Sequence, residues 1–253
     1  MTTTISYDQI AHGPTEVQTF DWEQTEAYAQ ELMQTTADAY VAEFTHNLAV
    51  VPEKDIRAHY DPDSTAAVQR FLDRTRDIHD RGARLAVMFG KTTEPTILGY
   101  TKIGPADALT APVDGREGRY TNEAGEHEYE GYYLNNIVVN PGSPRHQQFW
   151  NRGLGSVILH AGLTLPIPET DGQELDRSKP VVLDGFDVSV RINNWYRSLG
   201  FERHEIPTDG MQFGETDMPQ SYYATPGYVA LGGVKDALEA RMWQLSYYSL
   251  DAV

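Results

Sequence analysis

Between Trp22 and Phe44 the positions Ala29, Leu32/Met33, Thr36, Tyr40 and Phe44 recur at helical spacing, which predicts a helix. A second helix is predicted from Asp63-Ser64, which can cap it, with Val68, Phe71/Leu72 and Ile78 on one face and Gly82 at its end. The pattern then changes to short apolar runs. Arg84 to Phe89 and Thr96 to Ile103 read as strands joined by a turn over Gly90 to Pro95. Tyr132 to Val139 is the third strand. Leu154, Ile158, Ala161 and Leu165 mark a helix stopped by Pro166 and Pro168. Pro180 to Phe186 reads as a buried-type strand. A helix from about Ser189 to Leu199 and a strand over Gly200 to Glu205 follow. Ser221 to Thr225 and Tyr228 to Leu231 are strand candidates, and an amphipathic helix over roughly Val234 to Leu245 closes the chain.

Pro105 to Gly131 breaks this rhythm. It is acidic, rich in Gly and Pro, and short of periodic apolar residues, so a long loop is expected. Pro168 to Lys179 reads as a polar linker. Strands alternating with helices after a hairpin imply an α/β (α+β) fold with a sheet of mixed direction. No second domain boundary is visible over residues 1–253.

Charge and composition narrow the function. The chain has 20 basic and 37 acidic side chains, a net charge of −17, which opposes any role in coating nucleic-acid phosphates. The same balance leans toward a cationic small partner, or serves solubility alone. Cysteine is absent, so disulfides, thiolate catalysis and thiolate-bound metals are excluded. No run approaches the ~18 apolar residues of a membrane span. The first residues lack the basic start and apolar core of a leader, so a cytoplasmic location is expected.

The candidate chemistry centres on Tyr132 to Gly162. A strand runs into Asn140-Pro141, a polar connector follows, and Asn151-Arg152-Gly153-Leu154-Gly155-Ser156 opens a helix. Such a helix start offers bare N–H groups and the positive end of the helix dipole to an anion, and glycine lets the anion approach the backbone. No Walker A spacing is present, and Ile158 stands where a dinucleotide fingerprint needs its third glycine.

The combination of Ile137-x-Val139-x-Pro141 with Arg152-Gly153-Leu154-Gly155-Ser156-x-x-Leu159, followed by Tyr196-Arg-Ser-Leu-Gly200-Phe201, resembles the GNAT superfamily of acetyl-CoA-dependent N-acyltransferases. The resemblance covers about Arg84 to Glu205, with Trp22 to Ile78 as the family's N-terminal helices and residues 206–253 as C-terminal strands and a helix. The chain departs from the family at three places: Trp150 stands where Arg or Gln is usual, the Gly142–Trp150 connector is long, and Ser189 replaces a common Asn.

The resemblance implies a single GNAT domain with a mostly antiparallel central sheet flanked by helices and a loop insertion before the central strand. It implies acetyl-CoA as co-substrate, attacked directly by a primary amine in a ternary complex. Ile137, Val138 and Val139 would bind the pantetheine arm, and Arg152, Gly153, Leu154, Gly155 and Ser156 the pyrophosphate, with Asn194 nearby. Tyr196 matches the family's proton donor to the thiolate.

Candidates for the base are Glu128, Glu130, Tyr133 and Asn135, beside His127, with Glu130 and Tyr133 placed first. A solvated loop is the plain alternative for His127 to Glu130. His127 to Glu130 lacks metal-type spacing, so no metal is expected. Arg145, His146, Gln147 and Gln148 are candidates for the adenine end of the coenzyme, or a plain surface loop. His160, Trp195, Tyr222, Tyr223 and Tyr228 read as packing residues. The acceptor is a small-molecule or lysine-type amine, the chain a monomer or homodimer. The alternative from another class is a catalytically silent module that binds coenzyme A or a partner.

Overall fold

The computed structural model describes residues 4–7, 15–90, 96–105, 119–122, 125–128, 131–140, 153–167, 172–207, 211–224 and 231–250. Strands β1 (Thr4–Tyr7) and β2 (Thr15–Phe20) precede helices α1 (Trp22–Ala27) and α2 (Ala29–Tyr40). The predicted first helix is thus broken at Tyr28, and its end, Val41–Asn47, is wound as a π-helix. Asp21 caps α1 through a reciprocal pair with Gln24, which fixes the start that the apolar spacing alone leaves open. Then come α3 (Glu53–His59) and α4 (Thr65–Asp80), the latter capped by Ser64, whose Oγ accepts from the Ala67 N–H at 3.3 Å.

Strands β3 (Arg84–Gly90) and β4 (Thr96–Pro105) form the predicted hairpin. The 105–131 segment is not all loop, because it carries the two-stranded hairpin β5 (Arg119–Asn122) and β6 (Gly125–Glu128). Then follow β7 (Tyr132–Val139), α5 (Leu154–Thr164), β8 (Val181–Phe186), α6 (Val190–Ser198) and β9 (Glu202–Pro207). A small hairpin, β10 (Met211–Phe213) with β11 (Thr216–Met218), leads to β12 (Gln220–Ala224) and α7 (Leu231–Leu250). Leu231 therefore opens a helix and does not end a strand, while 225–230 lie outside the described residues.

The main sheet has eight strands in the order β1-β2-β3-β4-β7-β8-β12-β9. Neighbours are antiparallel except β7 and β8, which are joined by the α5 crossover. Both faces are covered. On one, α5, α6 and α7 pack Leu159, Leu163, Tyr196, Leu199, Val234 and Leu238 onto Ile103, Leu134 and Leu183. On the other, α2 and its π extension pack Leu32 and Phe44 onto Val87, Ile97, Tyr100, Val138 and Phe186. This is why β3 and β4 carry apolar side chains on both of their faces. No helix among the described residues is long and apolar enough to cross a membrane.

Candidate active site

Strand β7 is bent by its own sequence. It pairs with β4 as Gly99↔Val139 and Tyr100↔Val138, then slips to Lys102↔Asn135, so Asn136 and Ile137 together oppose Thr101. This is a β-bulge, and Asn136 holds it with φ 53°, a left-handed conformation that Asn tolerates. Gly99 lies so close beneath the bulge that a Cβ there would stand 2.3 Å from the Val138 carbonyl oxygen. On its other edge β7 pairs with β8 only through Tyr132↔Val181, Tyr133↔Val182 and Leu134↔Leu183. Beyond Leu134 the ladder ends, and β8 continues against β12 as far as Phe186↔Gln220. The second half of β7 thus faces an opening in the middle of the sheet.

Helix α5 follows β7. Gly153 precedes it at φ 81°, the left-handed region, and no side chain caps the helix. The first intrahelical bond runs from Val157 N–H to Gly153 O at 3.0 Å, so the N–H groups of Leu154, Gly155 and Ser156 lie ahead of the helix ladder. A Cβ on Gly155 would meet Trp195 Cη2 at 3.6 Å, ordinary contact, so the protein interior does not itself demand glycine there. Trp195 stacks in tilted fashion on Tyr196, with ring centroids 5.2 Å apart, and brings α6 to the start of α5. At the head of α6 the Ser189 hydroxyl and the Asn193 carbonyl oxygen are buried and without a hydrogen-bond partner. Bare helix N–H groups, room at Gly155 and orphaned polar atoms suit the phosphate and amide groups of a coenzyme A molecule.

The face of the opening under α2 to α4 is polar. Asp184, the first β8 residue past the end of the ladder, accepts hydrogen bonds from the Tyr133 hydroxyl and, at 3.5 Å, from Asn135 Nδ2. Burial pushes its carboxyl above the usual range, against the pull of those bonds and of the Arg74 charge. Tyr100 donates to or accepts from Thr36 Oγ1 at 2.6 Å and hydrogen-bonds Asn136; burial pushes its hydroxyl up to about 12. Lys102 is 3% exposed, with Nζ 5.5 Å from the centroid of the Phe71 ring. Burial, and then the Arg74 charge, bring its amine down to about 7, with Asp184 opposing.

The sequence-predicted residues divide accordingly. Tyr133 is brought to Asp184, and Asn135 joins them. Ile137, Val138 and Val139 line the bulged half of β7, and Gly153 to Ser156 form the uncapped helix start. Tyr196 is buried in the apolar cluster with Leu134 and Leu183, its ring 6.1 Å from that of Phe201. Asn194 is exposed on the outer face of α6, while Asn193 beneath it donates to the Phe186 carbonyl at 2.9 Å. Glu130, Arg152, Trp150 and Arg145 to Gln148 lie outside the described residues, and of Glu128 and His127 only the backbone is described. His160 sits partly buried, 3.3 Å from Glu239 Oε1. Asp184 and Lys102 were not singled out by sequence reasoning. The signal was present: each is a charged residue inside an otherwise apolar strand, which is rare without a purpose.

No family model matches the chain, and no curated protein matches it in sequence. Solved structures do. Mycobacterium smegmatis RimJ in complex with CoA-disulfide is 10% identical with a TM-score of 0.52, covering 95% of this chain and 94% of that one. Salmonella typhimurium yncA with its cofactor acetyl-CoA is 16% identical, covering 84% of this chain and 94% of its own, at a TM-score of 0.45. A GNAT-family acetyltransferase from Streptococcus pneumoniae is 11% identical, covering 83% and 98%, at 0.42. The chain shares the fold of the RimJ structure, a mixed α/β architecture around a mostly antiparallel sheet.

Proposed function

We propose that the chain is an N-acetyltransferase that moves an acetyl group from acetyl-CoA to a primary amine by direct attack. One observation carries this reading: β7, which parts from β8 after Leu134 and Leu183, is the strand that precedes an uncapped, glycine-led helix start. When bound, acetyl-CoA supplies the thioester carbon that the amine attacks.

The chain's own groups fit the remaining tasks. The N–H groups of Leu154, Gly155 and Ser156 hold the pyrophosphate, and the exposed edge of Ile137 to Val139 aligns the pantetheine arm. Holding amine and thioester together in one opening supplies much of the acceleration by proximity. Attack requires a neutral amine. Asp184, its carboxyl raised by burial and oriented by Tyr133 and Asn135, takes the ammonium proton. Tyr196 returns a proton to the departing thiolate. A C–N bond forms, the C–S bond breaks, and one free thiol appears per amide.

The test is thiol release from acetyl-CoA across a panel of amines, after stabilisation by acetyl-CoA has been shown in a thermal shift. Stoichiometric thiol and N-acetyl product support the proposal. Stabilisation without thiol release on any amine favours the silent coenzyme-binding module, and an absence of stabilisation removes both.

A further inference from the structure

The charge around the acceptor side runs against the charge of the chain. With 37 acidic and 20 basic side chains, a cation in this protein has carboxylates to spare as partners. Yet among the described residues Lys102, Arg70 and Arg74 make neither a hydrogen bond nor an ion pair. Arg70 and Arg74 stand one turn apart on exposed positions of α4, where like charges repel. Arg74 follows Phe71 by three residues on α4, and the Phe71 ring packs on Lys102 Nζ, so the Arg74 charge acts on the side of the opening that holds Lys102 and Asp184.

Lys102 is the sharper case. It is 3% exposed on the central strand β4, across the ladder from Asn135, with an aromatic ring on one side and the like charge of Arg74 nearby. A buried ammonium without a partner is strongly disfavoured, and one anion delivered to it would complete the site. Asp184 does not fill that role. No ion pair joins it to Lys102, and the hydrogen bonds it accepts come from Tyr133 and Asn135. The opening therefore sets a carboxylate beside a buried amine and an exposed guanidinium, neither of them paired with an acidic side chain. That is the complement of a molecule whose amine and carboxylate are close together.

We propose that the acceptor is a small amine that also carries a carboxylate, an amino-acid-type substrate, with Lys102 and Arg74 binding its carboxylate and Asp184 facing its amine. The placement of the amine rests on the transferase reading above; the anion site does not. This local arrangement outweighs the whole-chain charge, which leans toward a cationic acceptor.

The test is calorimetric titration of the coenzyme A-saturated protein with matched pairs: alanine and ethylamine, phenylalanine and phenethylamine, lysine and 1,5-diaminopentane. At least one acid is expected to bind about tenfold or more tightly than its decarboxylated partner, the scale of a charge-assisted hydrogen-bonded pair. Lys102→Met and Arg74→Gln, each with a wild-type Kd for coenzyme A, are expected to erase that preference. Equal or tighter binding of the amine in every pair overturns the proposal, as does a preference that survives both substitutions, or no binding of any acid at millimolar concentration. The titrations are repeated without coenzyme. If coenzyme A does not bind but the preference and its loss persist, the transferase reading falls and the anion site stands.

Discussion

Asn135 Nδ2 reaches Asp184 Oδ1 at 3.5 Å across the point where β7 and β8 stop pairing. Each is the first residue past the last rung of the parallel ladder, so this long contact bridges the apex of the opening. With the Tyr133 hydroxyl it fixes a carboxylate whose placement suits proton transfer at that apex. Asp184→Asn keeps the shape and removes the proton acceptor. Its kcat/KM should fall about 10²-fold or more, with the acetyl-CoA Kd changed less than about twofold. Because the folded carboxyl is raised above its unfolded value, the wild type loses stability as pH climbs through that raised value. The variant should therefore be the more stable at neutral pH, and unfolding curves at two pH values check this.

Gly155→Ala separates folding from coenzyme binding. Its Cβ would meet Trp195 at an ordinary 3.6 Å, and removing a helical glycine stabilises by about 0.5–1 kcal/mol. The variant should melt no lower than the wild type, yet bind acetyl-CoA about tenfold more weakly by calorimetry, because the methyl group enters the pyrophosphate cradle. Unchanged affinity would show that the cradle lies elsewhere.

Lys102→Met probes the buried amine through stability. Burial brings the amine down to about 7 in the folded chain against an ordinary 10.5. Between those values the unfolded chain holds a proton that the folded chain has released, so wild-type stability gains from this group as pH rises across the window. Below it the folded state carries the whole penalty, on the order of a few kcal/mol. Lys102→Met should melt higher than the wild type at pH 7 and lose that gain with rising pH. Parallel stability profiles for the two proteins would contradict the account.

Tyr196→Phe removes the proposed proton donor and leaves the ring in its cluster with Leu134, Leu183 and Phe201. Turnover should drop at least about tenfold in single-turnover kinetics with little change in coenzyme affinity. A wild-type rate would sink the assignment.

The helices and strands carrying a strong period were readable in the chain, from Ser64 capping α4 to Pro166 after α5. Short elements were not. α3 buries only Ile56, although its acidic first turn and basic last turn are helix signals. β10 and β11 are three residues each around Gly214, which turns at φ 59°. Strand β2 gains its place by pairing along its own whole length with Leu85 to Gly90 of β3, a long-range fact that local pattern does not hold. The site was legible as motifs, Gly153 to Ser156 and Tyr196 to Phe201. Its reacting face was not, because the bulge at Asn136 and the parting of β8 depend on pairing register. Asp184 and Lys102 show what a closer reading can recover: a charge within an apolar strand names itself before the partners are known.

The most direct measurement is an experimental structure with coenzyme A. The account predicts the pyrophosphate on the N–H groups of Leu154 to Ser156, the pantetheine arm along Ile137 to Val139, and the sulfur in the opening between β7 and β8, with Tyr196 and Asp184 toward it. Coenzyme A bound outside that opening, or an opening closed by continued β7–β8 pairing beyond Leu134, would contradict it.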